Sequence, residues 1–283
     1  ATLTNATLTG ADFAGATLTG VISGGIIGRP NKLPAGWKLA NGYLIGPGAN
    51  LAGATLTGAT LTNATLTNAT LTGADFAGAT LTGVISGGII GTPAALPTDW
   101  RFANGYLIGL GVNLAGVNLA GVNLAGANLI GANLIGANLA GADLTGADLT
   151  AATPNRPYLV GTNLTGAILV GANLTNATLT SANLTNANLT NADLTGANLG
   201  DVALTSAALN RANLVGANPT TANLGLAILN GVSLNGVTIT GVTLTKVTLA
   251  GAILTGVISS GIIGTPAALP TGWVLVNGVL QPG

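Results

Sequence analysis

Residues 112–131 read VNLAG VNLAG VNLAG ANLIG, and this five-residue beat decides the fold. It runs without a slip from Val112 to Gly256, a block of 29 pentads. The same beat fills residues 1–20 (ATLTN ATLTG ADFAG ATLTG) and 49–83 (ANLAG ATLTG ATLTN ATLTN ATLTG ADFAG ATLTG), four and seven pentads respectively. Ala or Val stands first in most pentads and Leu third. Positions two and four are mostly Asn, Asp, Thr or Ala, and position five is most often Gly, Asn or Ser. In extended backbone, alternate residues share a face. Positions one and three therefore point one way, and two and four the other. Position five must turn the chain, which suits Gly and Asn because both tolerate turn conformations. A helix fits poorly: glycine at every fifth residue costs ~1 kcal/mol each relative to Ala, and a spacing of five does not follow a 3.6-residue period.

The A-(N/D/T)-L-x-(G/N) pattern resembles the pentapeptide-repeat proteins. The resemblance implies an all-β, right-handed quadrilateral β-solenoid with four pentads, 20 residues, per coil. First-position Ala and third-position Leu would fill its interior. At ~4.8 Å per coil, about ten regular coils would extend ~50 Å. The third position departs from Leu at Phe13, Phe76, Ile239, Pro154 and Pro219. The two prolines are read as local bends or loops. The chain is read as one continuous solenoid over residues 1–283.

The register breaks three times in the same way, at residues 21–48 (VISGGIIGRPNKLPAGWKLANGYLIGPG), 84–111 (VISGGIIGTPAALPTDWRFANGYLIGLG) and 257–283 (VISSGIIGTPAALPTGWVLVNGVLQPG). Asn-Gly between alternating apolar residues predicts hairpin turns at Asn41-Gly42, Asn104-Gly105 and Asn277-Gly278. These modules hold Trp37, Trp100 and Trp273, together with Tyr43 and Tyr106. They read first as decorated coils whose Trp and Pro cover a corner. The second reading is a docking surface, because aromatics serve as interface anchors. The module resembles one that recurs between pentad blocks of long bacterial pentapeptide-repeat proteins, often exported ones.

Composition excludes much chemistry. The chain has no His, Cys or Met, seven Lys+Arg and seven acids, all of them Asp. Cysteine nucleophiles, disulfides and histidine acid–base catalysis are impossible. No catalytic, cofactor or metal site is expected. Asp12, Asp75, Asp143, Asp148 and Asp193 occupy the outward second position and read as solvated ladder residues. A net charge of zero gives no field to attract nucleic acid. Some members of the resembled family protect gyrase by imitating the charge of DNA, and this balance of charge disfavours that role. Mean hydropathy is high at +0.63, but no run of 18 apolar residues offers a membrane span. Thr-x-Thr pairs raise ice binding as a lesser alternative, but consecutive ATLT pentads fall on different faces. Stacked pairs such as Thr60/Thr62 with Thr80/Thr82 are few.

Two surfaces are candidates for association. Residues 20 apart stack in one column, and the column holding Ile168 and Ile228, with Val170 beside it, is unusually apolar for an outward position. The sequence...LQPG followed by ATLTN... would reproduce the internal joint at Gly48–Ala49. This points either to a window from a longer protein or to a subunit that stacks head to tail with its own kind. Stacking is the favoured expectation, with Ala1, Thr2, Leu3, Trp273, Leu280 and Gly283 at the contact. No terminal cap is evident in the sequence. Residues 6–28 and 69–91 are identical, a duplication that fits selection on length and surface regularity. The expected role is a non-enzymatic structural protein of an extracellular bacterial fibre, sheath or surface layer. The alternative is a soluble binding module using the Trp loops. Leu144→Asp should abolish cooperative thermal melting of its coils, a loss of more than ~4 kcal/mol, whereas Asn138→Thr should leave the melt unchanged.

Overall fold

A computed structural model describes all residues except 141, 146, 151 and 154–156; the proline at position 154 therefore lies outside the described residues. The contacts divide the chain into two compact units, Ala1–Leu114 and Ala115–Gly283. Both are quadrilateral, right-handed β-solenoids.

The pentad 182–186 (ANLTN) shows why the sequence folds this way. The amide of Asn183 donates to Thr162 O on the preceding coil at 2.9 Å. Those of Leu184 and Asn186 donate to Ala203 O and Thr205 O on the following coil at 2.7 and 2.9 Å. Ala187 N returns to Leu184 O at 3.0 Å and closes the corner. The remaining amide, that of Thr185, donates to the Asn183 side-chain oxygen at 3.1 Å. Each backbone donor from Asn183 to Ala187 thus has an acceptor, as a close-packed chain requires. Parallel pairings such as Asn163–Asn183–Ala203–Asn223 repeat at a spacing of 20, which is one coil of four pentads.

Each face contributes a short extended stretch, so most rungs are single bridges. Three-residue parallel strands occur where β1 (Thr2–Thr4) pairs with β2 (Ile22–Gly24), and where β7 (Thr238–Thr240) pairs with β8 (Ile258–Ser260). Two antiparallel hairpins lie between these parallel pairs, β3 (Lys38–Ala40) with β4 (Tyr43–Ile45) and β5 (Arg101–Ala103) with β6 (Tyr106–Ile108), and a third, β9 (Trp273–Val276) with β10 (Val279–Pro282), follows β8. Their turns fall at the three expected Asn-Gly pairs.

The interior is a stack of leucines and alanines. Leu184, Leu204 and Leu244 are buried, as are Ala182, Ala187 and Ala207. Phe76 takes the third position with no exposed surface. Pro219 corrects an expectation. It is buried in register, and Ala222 N still donates to its carbonyl at 3.0 Å. The missing proline amide removes one ladder donor without bending the coil. Asn138 corrects another. Its side chain accepts from Ala140 N at 3.1 Å and donates to Asn118 Oδ1 at 3.1 Å, so Asn138→Thr forfeits both bonds and is not silent.

Among the described residues the corner residue is left-handed whatever its type. Gly116, Asn186, Arg211, Thr221, Leu226 and Lys246 have φ of 67, 59, 56, 59, 59 and 57°. For a residue with a side chain this conformation costs roughly 1–2 kcal/mol. Leu226 is also 53% exposed and buries little in return. Leu226→Gly should raise stability by about 0.5–1 kcal/mol after the extra backbone entropy of glycine is counted, read as a higher denaturant midpoint.

Candidate interaction surface at the hairpin modules

The modules begin as ordinary pentads. In VISGG, Val21 is buried, Ile22 faces out, and Ser23 takes the inward third position that Leu holds elsewhere. The smaller serine leaves room, and the hairpin fills it. Leu44 of β4 is fully buried there, packed in one cluster with Leu8, Leu18, Val21, Leu39 and Trp37. Ser23 Oγ accepts from Leu44 N at 2.9 Å. The same pin joins Leu107 N to Ser86 Oγ at 2.9 Å and Leu280 N to Ser259 Oγ at 2.8 Å. The hairpin therefore lies across its coil and closes the lumen with Leu44, Leu107 or Leu280. In the second unit Leu280 lines an apolar lumen with Leu234, Leu244 and Leu249.

The turn docks by its backbone. Gly42, Gly105 and Gly278 carbonyls accept from Ile26, Ile89 and Ile262 amides at 3.1, 3.2 and 3.0 Å. Gly42 has φ 76°, and a methyl group there would lie 3.2 Å from the amides of Gly25 and Ile26, so both conformation and space demand glycine. The aromatics pack against the modules' own backbone. The Trp37 ring lies so close over Gly46 that a methyl group would fall 2.1 Å from it, and Trp100 does the same over Gly109 at 2.3 Å. The Tyr43 ring covers Gly24, where a methyl group would meet it at 3.0 Å; Tyr106 covers Gly87 at 2.8 Å. In the third module Ser260 stands where the others have Gly24 and Gly87, and Val279 where they have tyrosine.

In the first module the outward hairpin face is covered by the next coil. Lys38 Nζ donates to Thr62 O at 2.6 Å, Asn41 Nδ2 donates to Thr57 O at 3.1 Å, and Tyr43 Oη accepts from Thr55 N at 3.2 Å. Ile45 on that face is fully buried. The ladder passes straight over the module: Asn50 N donates to Val21 O at 2.9 Å, so Ile22 pairs with Asn50 across 28 residues.

The other expected residues are dispersed. Ala1 and Thr2 are exposed and Leu3 half-buried on β1; Gly283 is exposed and Trp273 half-buried. Leu280, expected at a contact, is buried within its own unit at 4% exposure. Ile168 and Ile228 do share a column, at 39% and 40% exposure, but Asn188 and Ala208 separate them. Val170 is half-buried beside Ile168.

The second-position aspartates are engaged by their own pentads. Asp12, Asp75, Asp143, Asp148 and Asp193 each accept from the amide two residues on, at 2.8–3.0 Å. The Thr145 hydroxyl, and then its amide, hold Asp143 below its ordinary carboxylate value. Such a group stays ionised and makes no proton donor near neutral pH. Among the described residues no cluster of three metal-ligating side chains occurs, and no helix is long and apolar enough to cross a membrane.

A double-mutant cycle tests the packing of the module. Gly24→Ser alone drives its Cβ into the Tyr43 ring and should lower stability by about 1–3 kcal/mol. Combined with Tyr43→Val, which reproduces the third module, most of that penalty should vanish, giving a coupling of at least ~0.5 kcal/mol in denaturant melts. Additive effects would show that the ring does not set the glycine.

The family model for pentapeptide repeats matches the chain in eight copies, over residues 1–22, 48–85, 113–150, 158–196, 182–218 and 220–256. No curated protein sequence matches. Among solved structures, HetL, a pentapeptide repeat protein involved in heterocyst differentiation regulation from the cyanobacterium Nostoc sp. strain PCC 7120, is 31% identical. That match covers 72% of this chain and 86% of HetL, with a TM-score of 0.33. A pentapeptide repeat protein of the Arabidopsis thaliana thylakoid lumen is 27% identical over 40% of this chain and 65% of its own, with a TM-score of 0.23. QnrB1, a plasmid-mediated fluoroquinolone resistance protein, is 18% identical over 75% and 89%, with a TM-score of 0.29. On the family match, the chain belongs to the pentapeptide-repeat family.

Proposed function

We propose that this chain is a non-enzymatic structural protein that stacks head to tail into an extracellular bacterial fibre, sheath or surface layer. The observation that carries this reading is the joint at Gly48–Ala49. There a regular coil seats on a hairpin module, and the backbone ladder continues from Val21 to Asn50 across it. A solenoid coil can thus be received by a module without a break in hydrogen bonding, and strand addition supplies affinity through main-chain bonds. A contact between unlike faces does not close on itself, so it propagates as a fibre. The surface supports the same reading. Five of its seven aspartates are engaged in local turns, its Trp37 and Trp100 rings lie on the modules' own backbone, and the sequence holds no thiol or thioether.

Electron microscopy of the purified chain at micromolar concentration should show unbranched filaments that lengthen with concentration. A monodisperse monomer throughout that range would refute the reading.

A further inference from the structure

We infer that the solenoid face carrying Ile168 and Ile228 is a contact surface for the same face of a second copy of this chain, packed antiparallel about a two-fold axis. The rung of Asn188 in one copy meets the rung of Ala208 in the other. This surface lies on the side of the solenoid, apart from any head-to-tail joint.

The placing of poorly suited corner residues singles out this face. Left-handed backbone disfavours bulky side chains, and such strain persists where it serves a function. Arg211, Leu226 and Lys246 hold it at φ 56, 59 and 57°. Leu226 and Lys246 lead into the rungs of Ile228 and Thr248, and Arg211 ends the rung of Ala208. All three therefore border the one face, and all three are exposed. On that face Ile168 and Ile228 are also exposed, at a position where most pentads carry a polar residue.

Charge selects the occupant and its direction. The column runs Asp148–Ile168–Asn188–Ala208–Ile228–Thr248, with an acid at one end and Lys246 beside the other. The amide and the hydroxyl of Thr150 both donate to Asp148 Oδ1, at 2.9 and 2.7 Å, which leaves Oδ2 for a cation. Among the described residues neither Asp148 nor Lys246 has an ion-pair partner within the chain. They stand five rungs, ~24 Å, apart, too far to meet in one molecule. An isologous contact sets residue i against j and j against i. A second copy turned end for end about a point midway between Asn188 and Ala208 brings Asp148 beside Lys246 twice and lays Ile168 on Ile228 twice. Leu226 then lies over Gly166, where a methyl group would meet nothing within 4 Å. Sliding one copy by a rung sets Asp148 against Ile228 instead, and parallel packing leaves both charges unpaired. A single register thus serves the strained leucine, the isoleucines and the two charges.

A strip one face wide is a small interface, so the pairing is weak and is read at about 0.5 mM chain. A carbodiimide condenses a touching carboxylate and amine to an amide with loss of water. Lys32, 3.6 Å from Asp12, supplies an internal reference within each chain. In an equal mixture of isotopically light and heavy chains, the Asp148–Lys246 amide should appear in mixed-isotope peptide pairs. Its yield relative to Asp12–Lys32 should rise at least fivefold with tenfold more protein. Leu226→Gly, which relieves the corner, should cut that yield at least threefold. Ile228→Asp places an ordinary second-position residue there; it should cut the yield at least tenfold with an unchanged thermal melt. If the Asp148–Lys246 amide is absent while Asp12–Lys32 forms, or if both variants leave it undiminished, the contact is refuted. Either outcome leaves head-to-tail stacking untouched, since that reading uses other surfaces.

Discussion

Every described fifth residue of the pentad blocks turns through left-handed backbone, and the rest of the structure depends on that turn. Only there can the amide of the next pentad fold back onto the carbonyl of its third residue, as Ala187 does onto Leu184. Without it the extended stretches could not close a square. The requirement explains the abundance of glycine and of corner asparagines such as Asn63 and Asn186, which enter this region more readily than other residues with side chains. It also governs the exceptions. Arg211, Thr221, Leu226 and Lys246 hold the same geometry at φ 56–59°, so the ladder on either side overrides their local preference. The fold is imposed coil by coil, and single corners can afford a poor residue because neighbouring rungs fix the path.

The second constraint is the amide at position four, which faces neither adjacent coil in a bonding position. Where Asn or Asp stands two residues earlier its side-chain oxygen satisfies that amide, as Asn183 does for Thr185, and only a side chain of that length forms the small ring readily. This accounts for a peculiarity of composition. The seven acids are all aspartate, and the five at the second position serve the same bond as Asn183 does for Thr185. They are structural acceptors, Asp143 for Thr145 and Asp148 for Thr150 among them. Glutamate would carry the same charge and miss the geometry. The regularity of the surface shares this cause.

Most of the architecture was legible in the sequence because it is local and repeated. A period of five with Leu at its centre fixes what points inward, and Asn41-Gly42 fixes a hairpin from two residues. What escaped reading depends on long-range replacement. Ser23 looks like a lapse in the Leu column; its meaning emerges only when Leu44, 21 residues later, is seen filling the vacated space and donating its amide to the hydroxyl. The clue present in the sequence was that serine replaces leucine in all three VIS phrases. Pro219 misled for the opposite reason. Proline signals a bend in isolation, yet its preferred φ suits an extended rung, and the interior holds it in register. The tryptophans read first as covers over a corner and second as docking anchors; what the sequence did not show is where they lie, because Gly46 and Gly109 create flat backbone beneath the Trp37 and Trp100 rings, a feature that reads only as one glycine among many.

The three modules also separate what the hairpin must do from what it is free to change. All three keep the serine pin, the buried leucine it holds and the glycine turn that accepts an isoleucine amide. These features lie on the side facing the module's own coil, where an error would open the lumen to water. On the other side the chemistry varies in a concerted way. Where Tyr43 becomes Val279, Gly24 becomes Ser260, because no ring then needs a bare backbone beneath it. Lys38 and Ile45 become Val274 and Gln281, which keeps one polar group on the pair. Outward substitutions matched to each other follow from a hairpin whose inner side answers to its own coil and whose outer side answers to whatever coil is laid upon it.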